Sequence, residues 1–198
     1  MSSASLKNLD LKQNIINSCN AKGKLLEIKK EIHKAIDIIY SKIKRGGKLL
    51  LCGNGGSAAD AQHLVAEFLV RLRPQINRRP FPALTLATDI STITACGNDY
   101  NFKFIFSRNL EALGNPKDVL IVISTSGNSQ NIIEVLKIAK KKRIYSIGFL
   151  GSKGGNAKEI CNLPLIVQSN STSIIQECHI FLGHYILYQV ENKLIKKN

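Results

Sequence analysis

Short apolar runs, each closed by a turn of glycine, serine and asparagine and followed by apolar positions at helical spacing, govern what this chain can fold into. Leu49-Leu50-Leu51-Cys52 runs into Gly53-Asn54-Gly55-Gly56-Ser57, and Val119 to Ile123 runs into Ser124-Thr125-Ser126-Gly127-Asn128-Ser129. Such runs are too short for helices and lack the alternation of half-exposed strands, so they read as strands buried on both faces. The pattern predicts strands over 48–52, 82–87, 118–124, 144–150 and 163–167, with helices over about 58–73, 102–113, 130–142 and 173–195. Before them, residues 8–45 carry helical spacing (Leu25, Leu26, Ile28, Ile32, Ala35, Ile36, Ile39) that predicts two helices broken near Ala21-Lys22-Gly23. The expected fold is α/β: a three-layer, doubly wound parallel sheet over residues 46–198, one globular unit, with an N-terminal helical extension over residues 1–45. In such sheets ligands bind beyond the carboxyl ends of the strands, which directs attention to the two loops above.

Composition removes several classes of function. The longest apolar runs are too short to span a membrane, and the first twenty residues carry Lys7, Asp10 and Lys12 instead of a signal-peptide core, so the protein reads as cytoplasmic with no membrane partner. Five cysteines (Cys19, Cys52, Cys96, Cys161, Cys178), odd in number and without a C-x-x-C pair, read as reduced thiols and not as a disulfide framework or thiolate zinc site. The net charge of +14 suits nucleic acid, a phosphorylated substrate or a lysine-rich surface, but no basic run carries interleaved aromatics, so nucleic acid is not the expected primary partner.

Both loops suit anions. Small residues let backbone N–H groups approach, hydroxyls donate further hydrogen bonds, and the helix N-terminus behind favours negative charge. The Ser/Thr loop, with four hydroxyls in six residues, is the better phosphate cradle. Taken singly, either is also an ordinary strand-to-helix turn, with Ser57 or Ser129 as the helix cap. His63 and Glu67 stand four apart on the helix leaving the first loop and share a face; the closing helix offers Gln176, Glu177, His179 and His184 among apolar neighbours. An i,i+4 His/Glu pair is also what a surface ion pair looks like, while the whole set suits either zinc binding or acid/base catalysis.

With GNGGSAADAQHLVAE at 53–67, GND at 97–99, STSGNS at 124–129 and QECHIFLGH at 176–184, the chain resembles the sugar isomerase (SIS) domain family, and within it the phosphoheptose isomerases, over about residues 25–191. The resemblance implies an aldose-ketose isomerase that converts sedoheptulose 7-phosphate to D-glycero-D-manno-heptose 7-phosphate, for surface polysaccharide (lipopolysaccharide) synthesis. It implies that Asn54, Gly55, Gly56, Ser57, Glu67, Asn98, Asp99 and Gln176 contact the sugar, and that Ser124, Thr125, Ser126 and Ser129 hold its phosphate. It also implies one zinc ion per subunit, held by His63, Glu67, Gln176 and His184, with Glu67 as base and His184 as acid, in a homotetramer whose sites lie between subunits. A non-catalytic relative that associates with a replication initiator is the alternative; it lacks the glutamate and the distal histidine that this chain has at 67 and 184. One departure from the family pattern stands before Gln176, where Ser173 and Ile174 replace an Asp-Arg pair.

Overall fold

The computed structural model describes residues 10–87 and 89–196. Its centre is a five-stranded sheet, parallel throughout, in the order β2-β1-β3-β4-β5: β1 (Leu49–Gly53), β2 (Ala83–Thr85), β3 (Val119–Ser124), β4 (Tyr145–Gly151) and β5 (Leu163–Val167). Every residue of β1 and β3 is buried, as the unbroken apolar runs require for strands covered on both sides.

One layer holds α1 (Leu11–Lys24), α2 (Lys29–Lys44), α3 (Gly56–Leu69) and α8 (Thr172–Ile195); the other holds α4 (Ile90–Asp99), α5 (Ile105–Leu113), α6 (Gln130–Lys141) and the short α7 (Ala157–Ile160). Each layer has its own core, and alternate strand residues divide between them: Leu49 and Leu51 face the first, Leu50 and Cys52 the second. The N-terminal helices are part of the first core. α2 buries Ile32, Ala35, Ile36, Ile39 and Ile43, a 3-4 repeat that makes one continuous stripe. A fully buried isoleucine such as Ile39 contributes about 1.5–3 kcal/mol.

Five details differ from the sequence reading. The helix break falls on a 3₁₀ turn at Leu25–Ile28, so that Leu25 enters the core beside Ala21, while Ala21-Lys22-Gly23 continues α1; residues 8 and 9 lie outside the described residues. The helix after the first loop ends at Leu69, because the segment beyond it is pulled across to α8 by ion pairs from Arg73 and Arg78 to Glu191. Finally, α4 was not expected. Only Cys96 of its ten residues is buried, so it has almost no apolar stripe; its signal is the cap, where Asp89 accepts a hydrogen bond from the Thr92 N–H at 2.7 Å. The expected strand at 82–87 shortens to three residues, and the expected helix at 102–113 opens with a 3₁₀ turn at Phe102–Phe104.

His179, on the inner face of α8, is wholly buried beside Phe149 of β4, and neither ring nitrogen makes a well-formed hydrogen bond. Burial pushes its pKa down from 6.5 to about 4, against a smaller opposing pull from the Leu150 backbone. The unfolded chain therefore binds this proton first on acidification, and stability falls as the pH drops from about 6.5 towards 4. The loss from this group approaches about 3 kcal/mol. Denaturant midpoints at neutral pH and near pH 4.5 check it: His179→Leu should have a distinctly flatter acid limb than the wild type, and parallel limbs would refute it.

Candidate active site

The strand order reverses between β1 and β3. The chain leaves β1 for α3 in one layer and leaves β3 for α6 in the other, so the two loops diverge and open a crevice at the carboxyl end of the sheet. Both sequence-marked loops stand there. In the first, Gly55 adopts φ 54° and ψ −122°, a conformation closed to residues with a Cβ, and so turns the chain sharply into α3. In the second, the Ser124 hydroxyl accepts from the Gly127 N–H at 3.1 Å and that of Ser126 from the Asn128 N–H at 3.2 Å. The loop after β4 braces it, through Asn156 N–H to the Asn128 side chain and Ala157 N–H to the Gly127 carbonyl, both at 2.9 Å. Ser129 is the N-cap of α6, but its hydroxyl makes no capping bond; its carbonyl takes the Ile132 and Ile133 N–H groups at 3.0 Å, which leaves the N–H groups of Gln130 and Asn131 at the helix start without an intrahelical partner. These free donors suit an anion.

His63, Glu67 and His184 come together as the helical spacing suggested. Their ligand atoms lie within 4.8 Å of one another. The two Nε2 atoms are 2.8 Å apart with rings at 76°, and His63 Nε2 is 3.6 Å from Glu67 Oε1. Helices α3 and α8 can approach this closely because residue 183 is glycine: a Cβ there would stand 2.5 Å from the Leu64 side chain. Burial lowers the His184 pKa, and the neighbouring His63 charge lowers it further, while Glu67 and Asp60 pull the other way. His184 thus tends to the neutral form that ligates a metal. Asp60 sits one turn before His63, with its carboxyl pushed up by burial and drawn back by both histidines.

These groups fit zinc. Two imidazoles and a carboxylate form a catalytic donor set that leaves a position open, and ligand atoms around tetrahedral zinc stand about 3.3 Å apart, within the spread of separations found here.

Other sequence-marked residues are placed differently. Gln176 lies against Gly56, its Nε2 2.6 Å from where a Cβ on that glycine would be, and eight residues of helix, about 12 Å, separate it from His184. In the single chain it therefore faces the Gly-rich loop instead of the histidine pair. Glu177 turns outward to Ser18 and Lys22 of α1, and His179 turns into the core, so neither joins the site. Ser57 is buried in the first turn of α3. Asn98 and Asp99, at the end of α4, are exposed, with Asn98 Nδ2 donating to Asp99 Oδ1 at 2.8 Å. The neighbouring Asn101, Phe102 and Lys103 line a cleft of about 320 Å³ with Asn54 and Ser129. Sequence reasoning missed Asp60 and Asn131; a carboxylate one turn before His63 was the only signal for the first, and nothing marked the second.

The profile of the SIS domain matches residues 19–151. The phosphoheptose isomerase of Clostridium acetobutylicum is 47% identical over 183 residues, which cover 91% of this chain and 92% of that protein. That of Synechocystis is 46% identical over 82% of this chain and 83% of its own. Among solved structures, the phosphoheptose isomerase from Neisseria gonorrhoeae superposes with a TM-score of 0.84 at 36% identity, covering 91% of this chain and 96% of that one. The corresponding enzyme from Francisella tularensis gives 0.86 at 34% identity, with the same coverage. With its GNGGS and STSGNS loops facing each other across the switch point, the chain belongs to the SIS-domain family and, within it, to the phosphoheptose isomerases.

Proposed function

We propose that the protein converts sedoheptulose 7-phosphate to D-glycero-D-manno-heptose 7-phosphate through an enediolate, with Glu67 and His184 moving the protons. The observation that carries this is the convergence of His63, Glu67 and His184 from two helices beside an anion-binding crevice. Interconverting a ketose and an aldose needs a base that shifts a proton between C1 and C2 and an acid that manages the oxygen protons. Glu67 is the base and His184 the acid. Thr125, Ser126, Ser129 and the start of α6 hold the phosphate, Ser124 shapes that loop, and Asn54, Gly55, Gly56 and Gln176 lie along the sugar. Incubation of the purified protein with sedoheptulose 7-phosphate should yield the aldose; no turnover would refute the assignment and turn attention to initiator binding.

His63, Glu67 and His184 would hold the zinc ion; the Gln176 amide, which the family resemblance adds as a displaceable fourth ligand, would have to leave its place against Gly56 to join them. The ion would polarise the carbonyl and stabilise enediolate charge. Glu67 acts as base when it is off the metal, since a bound cation favours its charged form. Elemental analysis of active protein should find about one zinc per chain. Less than a tenth of that, with activity unchanged by chelation, would leave Glu67 and His184 as metal-free acid/base groups.

A homotetramer is the expected assembly. Leu11, Ile15 and Ile16 of α1 are exposed, as are Leu26 and Phe181, which line an apolar groove of about 430 Å³ between the N-terminal helices and α8. His63 is 47% exposed, an open site that a second copy would close. Light scattering should give four chain masses, and a stable monomer at micromolar concentration would remove the shared site. No described helix is long and apolar enough to cross a membrane; a cytoplasmic enzyme is proposed, since a charged sugar phosphate does not cross a membrane unaided and is used in the compartment where it is made.

A further inference from the structure

Asn131 is 2% exposed, and its side chain is paired with that of Asn54 across the point where the strand order reverses. Asn54 Nδ2 donates to Asn131 Oδ1 at 2.9 Å, and Asn131 Nδ2 donates to Asn54 Oδ1 at 2.8 Å. The two amides thus form a closed ring between the Gly-rich loop and the first turn of α6.

A primary amide has two N–H donors and one carbonyl oxygen with two lone pairs, and this pairing uses one donor and one lone pair on each side. Turning either amide over would set oxygen against oxygen and nitrogen against nitrogen. The ring couples the two amides, so that neither can turn over alone and the plane of the Asn54 amide is held, and half-buried Asn54 borders the cleft that Asn101, Lys103 and Ser129 also line. Asn131 borders the same cleft but at 2% exposure offers little surface of its own to a ligand.

We propose that Asn131 is a positioning residue: it holds Asn54 so that its second N–H is presented to a sugar hydroxyl, and it acts on the substrate only through Asn54. The proposal rests on the reading of Asn54 as a sugar contact.

Kinetics with sedoheptulose 7-phosphate, inhibition by inorganic phosphate and thermal melting test it together. Asn131→Ala should lower kcat/KM about tenfold or more, as the loss of an oriented hydrogen bond with its buried partner left unmatched implies. Its inhibition constant for inorganic phosphate should stay within about twofold of wild type, because the hydroxyls of the cradle are untouched. Asn131→Asp gives a readout that simple bracing would not. A protonated carboxyl at 131 accepts from Asn54 Nδ2 and donates to Asn54 Oδ1, reproducing the ring, whereas the carboxylate repels that oxygen. Burial raises such a carboxyl's pKa, and the N-terminus of α6 with Lys103 nearby pulls it back down, so the titration is followed across the whole range. The ratio of variant to wild-type kcat/KM should then fall as the pH rises from about 5 to 9, while the titrations of shared groups such as Lys103 cancel in the ratio.

A flat ratio near one, wild-type kcat/KM in Asn131→Ala, or a phosphate affinity that falls as far as kcat/KM would each overturn the proposal. Asn54→Ala separates it from its premise. Wild-type activity there would remove the sugar contact itself, whereas a loss there with none at Asn131 would remove only the positioning role. Should Asn131→Ala fail to fold, the pH series on Asn131→Asp decides alone.

Discussion

Replacing Glu67 by Gln, or His184 by Asn, should lower kcat for sedoheptulose 7-phosphate by about a thousandfold while the protein melts within a few degrees of wild type; positioned acid/base groups typically contribute about 10²–10⁴. Gln keeps the volume and hydrogen-bonding reach of Glu but cannot take a carbon-bound proton. Asn keeps a polar head near the first ring nitrogen of His184 and loses the titratable Nε2. Neither side chain is in the core: Glu67 and His184 are both partly exposed in the open site, so the substitutions forfeit little packing. Steady-state rates beside a thermal melt check the prediction. Near-wild-type turnover in both variants would show that some other pair moves the protons, with Asp60 the next carboxylate to replace.

A second large effect is expected far from the substrate. Glu191 is 1% exposed and receives Arg78 Nε and, at 2.6 Å, Arg73 Nε. Arg78 also donates from Nη2 to the Glu67 carbonyl at 3.0 Å, one of the last in α3, and stacks on Phe81 with 4.3 Å to the ring centroid. Glu191→Gln leaves both arginines without a counter-charge, and removing one partner of a buried ion cluster costs about 3–5 kcal/mol. For a chain of this length that corresponds to about 6–20 °C in Tm. Activity should fall with it, because Arg78 anchors the turn of α3 that carries Glu67. A Tm shift under about 2 °C would mean that water replaces the carboxylate readily, and that the segment after α3 is held by the Phe81 packing instead.

The sheet was legible in the sequence because Leu49 to Cys52 and Val119 to Ile123 are apolar without alternation, a pattern that few structures other than doubly covered strands accommodate. The histidine and glutamate convergence was legible for a different reason: i,i+4 spacing fixes a shared helix face, and two helices that flank one sheet end can meet. Periodicity gives angle without axial distance. Gln176 and His184 lie on neighbouring faces of α8, yet about 12 Å apart along it, so the amide reaches Gly56 and not the histidines within one chain. Nor does spacing say which groups pair over long separations. Asn54 and Asn131 are 77 positions apart, and only the register of β1 against β3, Gly53 beside Ile123, brings their loops together. α4 escaped notice because its stability rests on a cap and not on a buried stripe.

The reversal of strand order also divides the labour of recognition. The proposed phosphate cradle begins α6 in one helical layer; the groups proposed to move the protons lie on α3 and α8 in the other, and the Asn54–Asn131 ring links the two. Handle and reaction centre are thus supplied by separate cores. The start of α8, where Ser173 is exposed, can therefore change to admit sugars of another length or configuration without disturbing the proposed hold on the phosphate. Such a layout lets a lineage explore new sugars while keeping one grip on the phosphate common to them all.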